Sequence, residues 1–292
     1  MTMDINGKLA LVTGGSRGIG LAISKELAAR GASVWIAARD PDRLALARRQ
    51  IEEVRRSDRQ AVGTLTLDVA DAAQATSVLG AFTTETGVPD LLVNCAGVAQ
   101  PGRFEELDLE IFRWMMEVNY FGTVHVTKVI VPGMIARGSG HIVNISSIAG
   151  FLGVYGYSAY GASKFAVAGL SDVLRAEMKP LGVGVSVVFP PDTDTEQLAY
   201  ESQFKPAITK ALSGTTKALS PEKVARSIVD GVMRRRYLIT PGTEGSIFFR
   251  GQNLLGGLVY PLMDLMISRA WKSTRSLPES SAVVEQVKDP AP

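Results

Sequence analysis

The sequence predicts a doubly wound α/β fold, a parallel sheet with helices on both faces, in a single domain with a C-terminal apolar extension. Three observations carry this. Short runs rich in Val, Ile and Leu recur along the chain with helix-period segments between them. The runs show little polar alternation, as strands buried on both faces do. A glycine-rich turn joins the first run to the first helical segment.

In chain order, the strands are expected at 9–13, 33–37, 61–68, 91–94, 141–145 and 183–189. Helices are expected at 18–30, 43–56, 110–136, 160–179 and 221–234, where apolar residues recur at helical spacing. The boundaries read as a domain over 1–245, an apolar segment over 246–272, and a polar, proline-punctuated tail over 273–292 that suits disorder.

Composition narrows the classes. A chain of 292 residues lies near the upper end of one α/β domain and can bury a sizeable core. A net charge of +2 gives no general electrostatic ground for nucleic acid. Arg234-Arg235-Arg236 reads as a solvated helix end. Cys95 stands alone, so neither an internal disulfide nor a cysteine metal cluster can form, and a reducing, cytoplasmic location fits. His125 and His141 have no second ligand at metal spacing and read as structural, so no metal is expected. The apolar run after Lys8 enters a glycine turn without a cleavage site, which makes it a strand rather than a signal peptide.

The first strand ends in Thr13-Gly14-Gly15-Ser16-Arg17-Gly18-Ile19-Gly20. Gly14, Gly18 and Gly20 allow close approach of a pyrophosphate to the backbone, and the helix N-terminus that follows offers unpaired N–H donors. Glycines mark any tight turn; the strand before and the helix after make this one a dinucleotide site, with Ser16 and Ile19 in the same turn. At the end of the second strand, where an acid would accept from the ribose of NAD, stands Ala37-Ala38-Arg39. Arg39, aided by Arg17, can pair with a 2′-phosphate, so NADPH/NADP⁺ is expected, the alternative being two arginines that merely solvate the surface. Asp68, before Val69, falls near the adenine or caps the next helix.

Tyr160-Gly-Ala-Ser-Lys164 places a phenol and an ammonium on one face of a helix. The cation favours phenolate, which makes Tyr160 an acid–base group for carbonyl and alcohol interconversion. Ser147, after the fifth strand, can donate to the oxygen on which charge develops, with Ser146 as the competing choice.

With Thr13-Gly14-x3-Gly18-Ile19-Gly20, Asn94-Cys95-Ala96-Gly97, Asn119, Ser147 and Tyr160-x3-Lys164, the chain resembles the short-chain dehydrogenase/reductase family from Gly7 to about Ile239. The resemblance implies a Rossmann-type fold, Asn94 and Gly97 at the adenine-side wall, and Asn119 holding a water that links Lys164 to solvent. From the residues alone Asn119 is equally a structural amide. Two positions depart from the family pattern: Cys95 replaces an Asn, and Pro190-Pro191 replaces Pro-Gly before Asp192-Thr193-Asp194-Thr195. Pro191 has no N–H for a nicotinamide contact; Thr193 and Thr195 remain able to meet the carboxamide or phosphates. These departures, with Lys205-Pro206 and Ser220-Pro221-Glu222-Lys223-Val224-Ala225, resemble the branch that reduces the ketone of a long-chain sphingoid base. The implied partner is a lipid-like ketone, with 194–212 over an apolar pocket. The alternatives are reduction of a 3-oxoacyl thioester, oxidation of a hydroxysteroid or retinoid, or a non-catalytic NADP-binding regulator.

Residues 247–271 carry more apolar side chains than a solvated helix does, interrupted by Arg250 and Asp264 and broken at Pro261. The uncharged stretch 251–263 is shorter than the ~20 residues of a membrane span. The pattern suits a segment lying in the interface at the cytosolic face of a membrane. The competing reading is a core or subunit-contact helix in a homodimer or homotetramer.

Overall fold

A computed structural model of the chain describes residues 2–213 and 218–274. The apolar runs become strands because their two faces meet different helices. β1 (Leu9–Thr13) sends Leu11 to one side of the sheet and Ala10 and Val12 to the other, the period-two alternation of extended backbone. It pairs in parallel with β2 (Ser33–Ala38) and β4 (Leu91–Asn94). β3 (Val62–Thr66), β5 (Gly140–Ile145), β6 (Val183–Val188) and β7 (Leu238–Ile239) complete a seven-stranded parallel sheet in the order β3-β2-β1-β4-β5-β6-β7. The order reverses between β1 and β4, so a crevice opens at their C-terminal ends.

One face is covered by α1 (Gly18–Ala29), α2 (Pro41–Val54) and α9 (Pro221–Met233), whose Ile23, Leu27, Leu44, Ile51 and Ile228 pack on Val12, Val34 and Ile36. The other is covered by α3 (Ala72–Glu85), α5 (Gly122–Arg137) and α6 (Ser158–Met178), with Leu79, Phe82, Ile130 and Met178 against Leu11, Leu92 and Ile142. Local chemistry sets the helix ends. Asp40 accepts from the Asp42 and Arg43 N–H groups ahead of Pro41, and Ser220 caps α9 ahead of Pro221.

The doubly wound architecture, with helices on both faces of the sheet, is the expected one, with differences in detail. α3 and β7 are additional elements. The helix expected over 110–136 is three pieces: α4 (Leu109–Met115), a π-helical stretch Met116–Phe121, and α5. Residues 194–212 hold α7 (Glu196–Phe204) and most of α8 (Ala207–Ser213). The C-terminal extension is α10 (Thr243–Leu255) and α11 (Val259–Thr274) joined by a 3₁₀ turn at Gly256–Leu258. The break therefore falls at Gly256, whereas Pro261 sits in the first turn of α11, where an N–H has no intrahelical partner to lose. α11 packs on α8, and Phe249 of α10 meets Phe151 edge-on and stacks on Phe189. The reading of 273–292 as a tail lies, from residue 275 on, outside the described residues.

Candidate active site

Gly14 follows β1, Arg39 follows β2, Cys95 follows β4, Ser146 and Ser147 follow β5, and Pro190 lies just past β6. These strand ends surround a cavity of about 840 Å³. At the dinucleotide end, Gly14, Ser16, Arg17, Ile19 and Gly20 line it. Gly14 has φ +65°, and a Cβ there would stand 2.8 Å from the Ala96 backbone. A Cβ on Gly20 would stand 2.2 Å from the Gly14 carbonyl oxygen. The Arg17 N-cap makes no side-chain capping bond to α1, so its first-turn donors remain for a ligand. Bare backbone, uncapped donors and cavity size fit a pyrophosphate. Gly18 does not line the cavity; at φ +53° it turns the chain beside Thr195.

Arg39, Asp68 and Val69 line the same end. Arg17 Nη1 lies 3.3 Å from Glu196 Oε2, and Arg43 Nη1 lies 2.8 Å from the same oxygen. Arg43 escaped sequence reasoning because it was read only as the start of a helix; the Asp40-Pro41 cap puts it in the first turn of α2, facing the cavity. Asp68 turns back on Ala70 N–H at 2.9 Å, while Asp71 caps α3. Asn94 is not a wall of the cavity. It is buried, and its Nδ2 donates to Thr127 Oγ1 at 3.0 Å and Asn144 Oδ1 at 2.9 Å, a cross-brace between β4, α5 and β5. Neither histidine is near a metal cluster among the described residues: His125 meets the Val69 carbonyl, and buried His141 meets Ser186.

At the reacting end, Tyr160 and Lys164 are one turn apart on α6, with Nζ 5.6 Å from the phenol ring centroid. Lys164 Nζ also donates to the Ile145 carbonyl at 3.0 Å. Ser147 stands beside the Tyr160 side chain in the cavity, and its Oγ accepts from Ala149 N–H at 3.2 Å. Ser146, by contrast, spends its hydroxyl on the Lys164 carbonyl at 2.9 Å and is structural. Burial draws the Lys164 amine down to about 8. The Tyr160 phenol is pushed up, first by burial and then by the Glu201 carboxylate, with Ser147 offsetting part of it. Burial therefore prevails over the lowering expected from Lys164. Asn119, carried inward by the π-helical stretch, accepts from Val98 N–H at 2.8 Å and donates to Ser163 Oγ at 2.9 Å. It lies behind the wall: a Cβ on Gly97 would be 3.2 Å from Asn119 Oδ1 and 3.3 Å from Lys164 Nζ.

Residues 8–205 match the family model for short chain dehydrogenase. The chain is a short-chain dehydrogenase. Over 244 residues it is 41% identical to a 3-dehydrosphinganine reductase of Danio rerio, covering 83% of this chain and 74% of the relative. It is likewise 41% identical over 253 residues to a 3-ketodihydrosphingosine reductase of Dictyostelium discoideum, with 80% and 75% covered. Among solved structures, a short chain dehydrogenase/reductase from Burkholderia phymatum in complex with NAD superposes with TM-score 0.76 at 26% identity, over 88% of this chain and 96% of that one. A short-chain dehydrogenase from Sphingobium yanoikuyae in complex with NADPH gives 0.73 at 26%, over 88% and 95%. This short-chain dehydrogenase is thus an oxidoreductase for the carbonyl–alcohol pair.

The loop after β6 gives the dehydrogenase its third wall. Pro190, Thr193 and Thr195 line the cavity, but their polar groups are already engaged. The Pro190 carbonyl accepts from Ile148 N–H, Thr193 Oγ1 donates to the Pro191 carbonyl at 2.9 Å, and Thr195 Oγ1 caps α7 through Leu198 N–H. Cys95 faces the cavity as a thiol, pushed up to about 12 by burial. A further group was missed by sequence reasoning. Glu201 is buried on α7 with its Oε2 accepting from the Tyr157 hydroxyl at 3.0 Å, and Lys205 pairs with Asp192 at 3.3 Å. Asp192 and Lys205 fall in segments the resemblance already marked, but no local motif marks Glu201 or Tyr157, which meet across 44 residues of sequence.

Proposed function

We propose that this short-chain dehydrogenase is an NADPH-dependent reductase of 3-ketodihydrosphingosine, forming dihydrosphingosine in sphingolipid synthesis. The observation that carries the substrate is the 41% identity over 244 residues to a 3-dehydrosphinganine reductase. A bound nicotinamide supplies the hydride. Tyr160, its phenol held protonated by burial, gives the carbonyl oxygen its proton. Ser147 donates to the same oxygen as charge builds, and the Lys164 ammonium stabilises the phenolate that remains. Asn119 Oδ1 keeps a lone pair beyond its Val98 bond on the side of Gly97 that Lys164 also borders, which supports a proton path from Lys164 through water. Arg39 and Arg17, joined by Arg43, form the cationic rim that favours a 2′-phosphate. NADPH and NADH oxidation measured with 3-ketodihydrosphingosine, a 3-oxoacyl thioester and a steroid ketone tests the reading. The expected result is turnover of the sphingoid ketone with NADPH preferred; turnover of either rival alone, or a preference for NADH, overturns it.

We infer also that residues 246–272 rest in a membrane interface on the cytosolic side. Leu254 is 87% exposed and Leu258 71%, and Tyr260, Leu262, Leu265 and Met266 are exposed with them. Arg269 and Lys272 lie at the same end of α11, as headgroup partners would. No helix among the described residues is long and apolar enough to cross a membrane. Replacing Leu254, Leu258 and Leu262 by Gln should abolish flotation with anionic vesicles. A wild-type protein that ignores vesicles and changes its oligomeric state on the same substitution would assign the face to a subunit contact.

A further inference from the structure

Beside Tyr160 the cavity carries a carboxylate that proton and hydride delivery do not require. Glu201 lines the cavity and is only 7% exposed. Among the described residues its hydrogen bonds come from neutral donors, the Tyr157 hydroxyl at 3.0 Å and Gln197 Nε2 at 3.0 Å. The cation nearby is already used, because Lys205 Nζ sits 3.3 Å from Asp192 Oδ2. A buried carboxylate without an ion-pair partner favours whatever cation enters the cavity. The reacting phenol is close: the Tyr157 and Tyr160 rings are 5.7 Å apart. The charge of Glu201 is also felt at Tyr160, whose proton affinity it raises.

We propose that Glu201 is a specificity-determining residue that receives the ammonium group of a ketone bearing an amine on the carbon next to the carbonyl. With the carbonyl at Tyr160 and Ser147, an ammonium one carbon away falls on the Tyr157–Glu201 side, where it replaces neutral donors with a charge-assisted hydrogen bond. The inference rests on the sphingoid-ketone reading, since that substrate carries such an amine. It adds that recognition is ionic at the head, independently of the apolar chain.

The test compares 3-ketodihydrosphingosine with the same hydroxy ketone lacking the amine, using NADPH and the full chain. The wild-type protein is expected to prefer the amino ketone. Glu201→Gln should reduce that preference in kcat/KM by about tenfold or more, mainly through KM, and Glu201→Asp should restore part of it. A merely structural Glu201 would lower both substrates alike and leave the ratio fixed, which overturns the proposal. Wild-type protein that reduces both ketones equally also overturns it while leaving the reductase reading intact; wild-type protein that reduces neither sinks both. Should Glu201→Gln fail to fold, inhibition of the wild-type protein by dihydrosphingosine and by its N-acetyl form decides. Dihydrosphingosine should be about tenfold the stronger inhibitor, and equal inhibition counts against Glu201.

Discussion

Tyr160→Phe deletes one hydroxyl and keeps the ring that packs against Tyr157. Ketone-dependent NADPH oxidation should fall by about 10²–10⁴-fold, with NADPH binding, followed by its fluorescence, little changed. The Lys164 amine is charged below about 8 and neutral above it. In the proposed mechanism its charge stabilises the phenolate, so kcat/KM for ketone reduction should decline as pH rises through about 8; a profile that climbs there would remove Lys164 from this role. Ser147, Tyr160 and Lys164 were legible because their relation is local, a strand end and one helical turn. Asn94 was misplaced and Glu201 missed for the opposite reason. Whether a side chain faces the cavity or braces two strands depends on partners 33 to 50 residues away, such as Thr127 and Asn144.

The clearest element-scale feature is α7, which swings Glu196 onto Arg17 and Arg43 and so occupies the cations that a 2′-phosphate would use. These ion pairs are exposed and each contributes little, about 0–1 kcal/mol. Glu196→Gln should therefore tighten NADPH binding only severalfold while leaving NADH nearly unaffected, a difference that paired titrations resolve. Elements were readable where apolar spacing was dense. α3 was not read, although Ala75, Leu79 and Phe82 do fall on one face, because Gly80 and four Thr or Ser residues dilute the pattern. The π-helical stretch that carries Asn119 inward has an ordinary helical composition, MEVNYF, and no sequence mark. β7 is two residues long, too short for any periodicity.

For the whole molecule, His141 couples stability to pH. Its ring is buried between β5 and β6 against Ser186, and burial lowers its pKa from 6.5 to about 4. Between those values the unfolded chain binds the proton that the folded ring refuses, so stability is lost as pH falls from 6.5 toward 4, by about 3 kcal/mol at most. Urea midpoints across that range should flatten in His141→Gln.

The aromatic contact among Phe151, Phe189 and Phe249 ties α10 to the turn that begins at Ser147 and to the end of β6. Gln252 adds a hydrogen bond to the Phe151 carbonyl. The exposed apolar face of α10 and the turn that carries Ser147 are therefore tied together. On the membrane-interface reading proposed above, adsorption that steadies α10 also steadies Ser147, and the enzyme is expected to show interfacial activation. Vesicles free of substrate should raise turnover of a short, water-soluble ketone, and a rate indifferent to the surface would show that the aromatic tie transmits nothing.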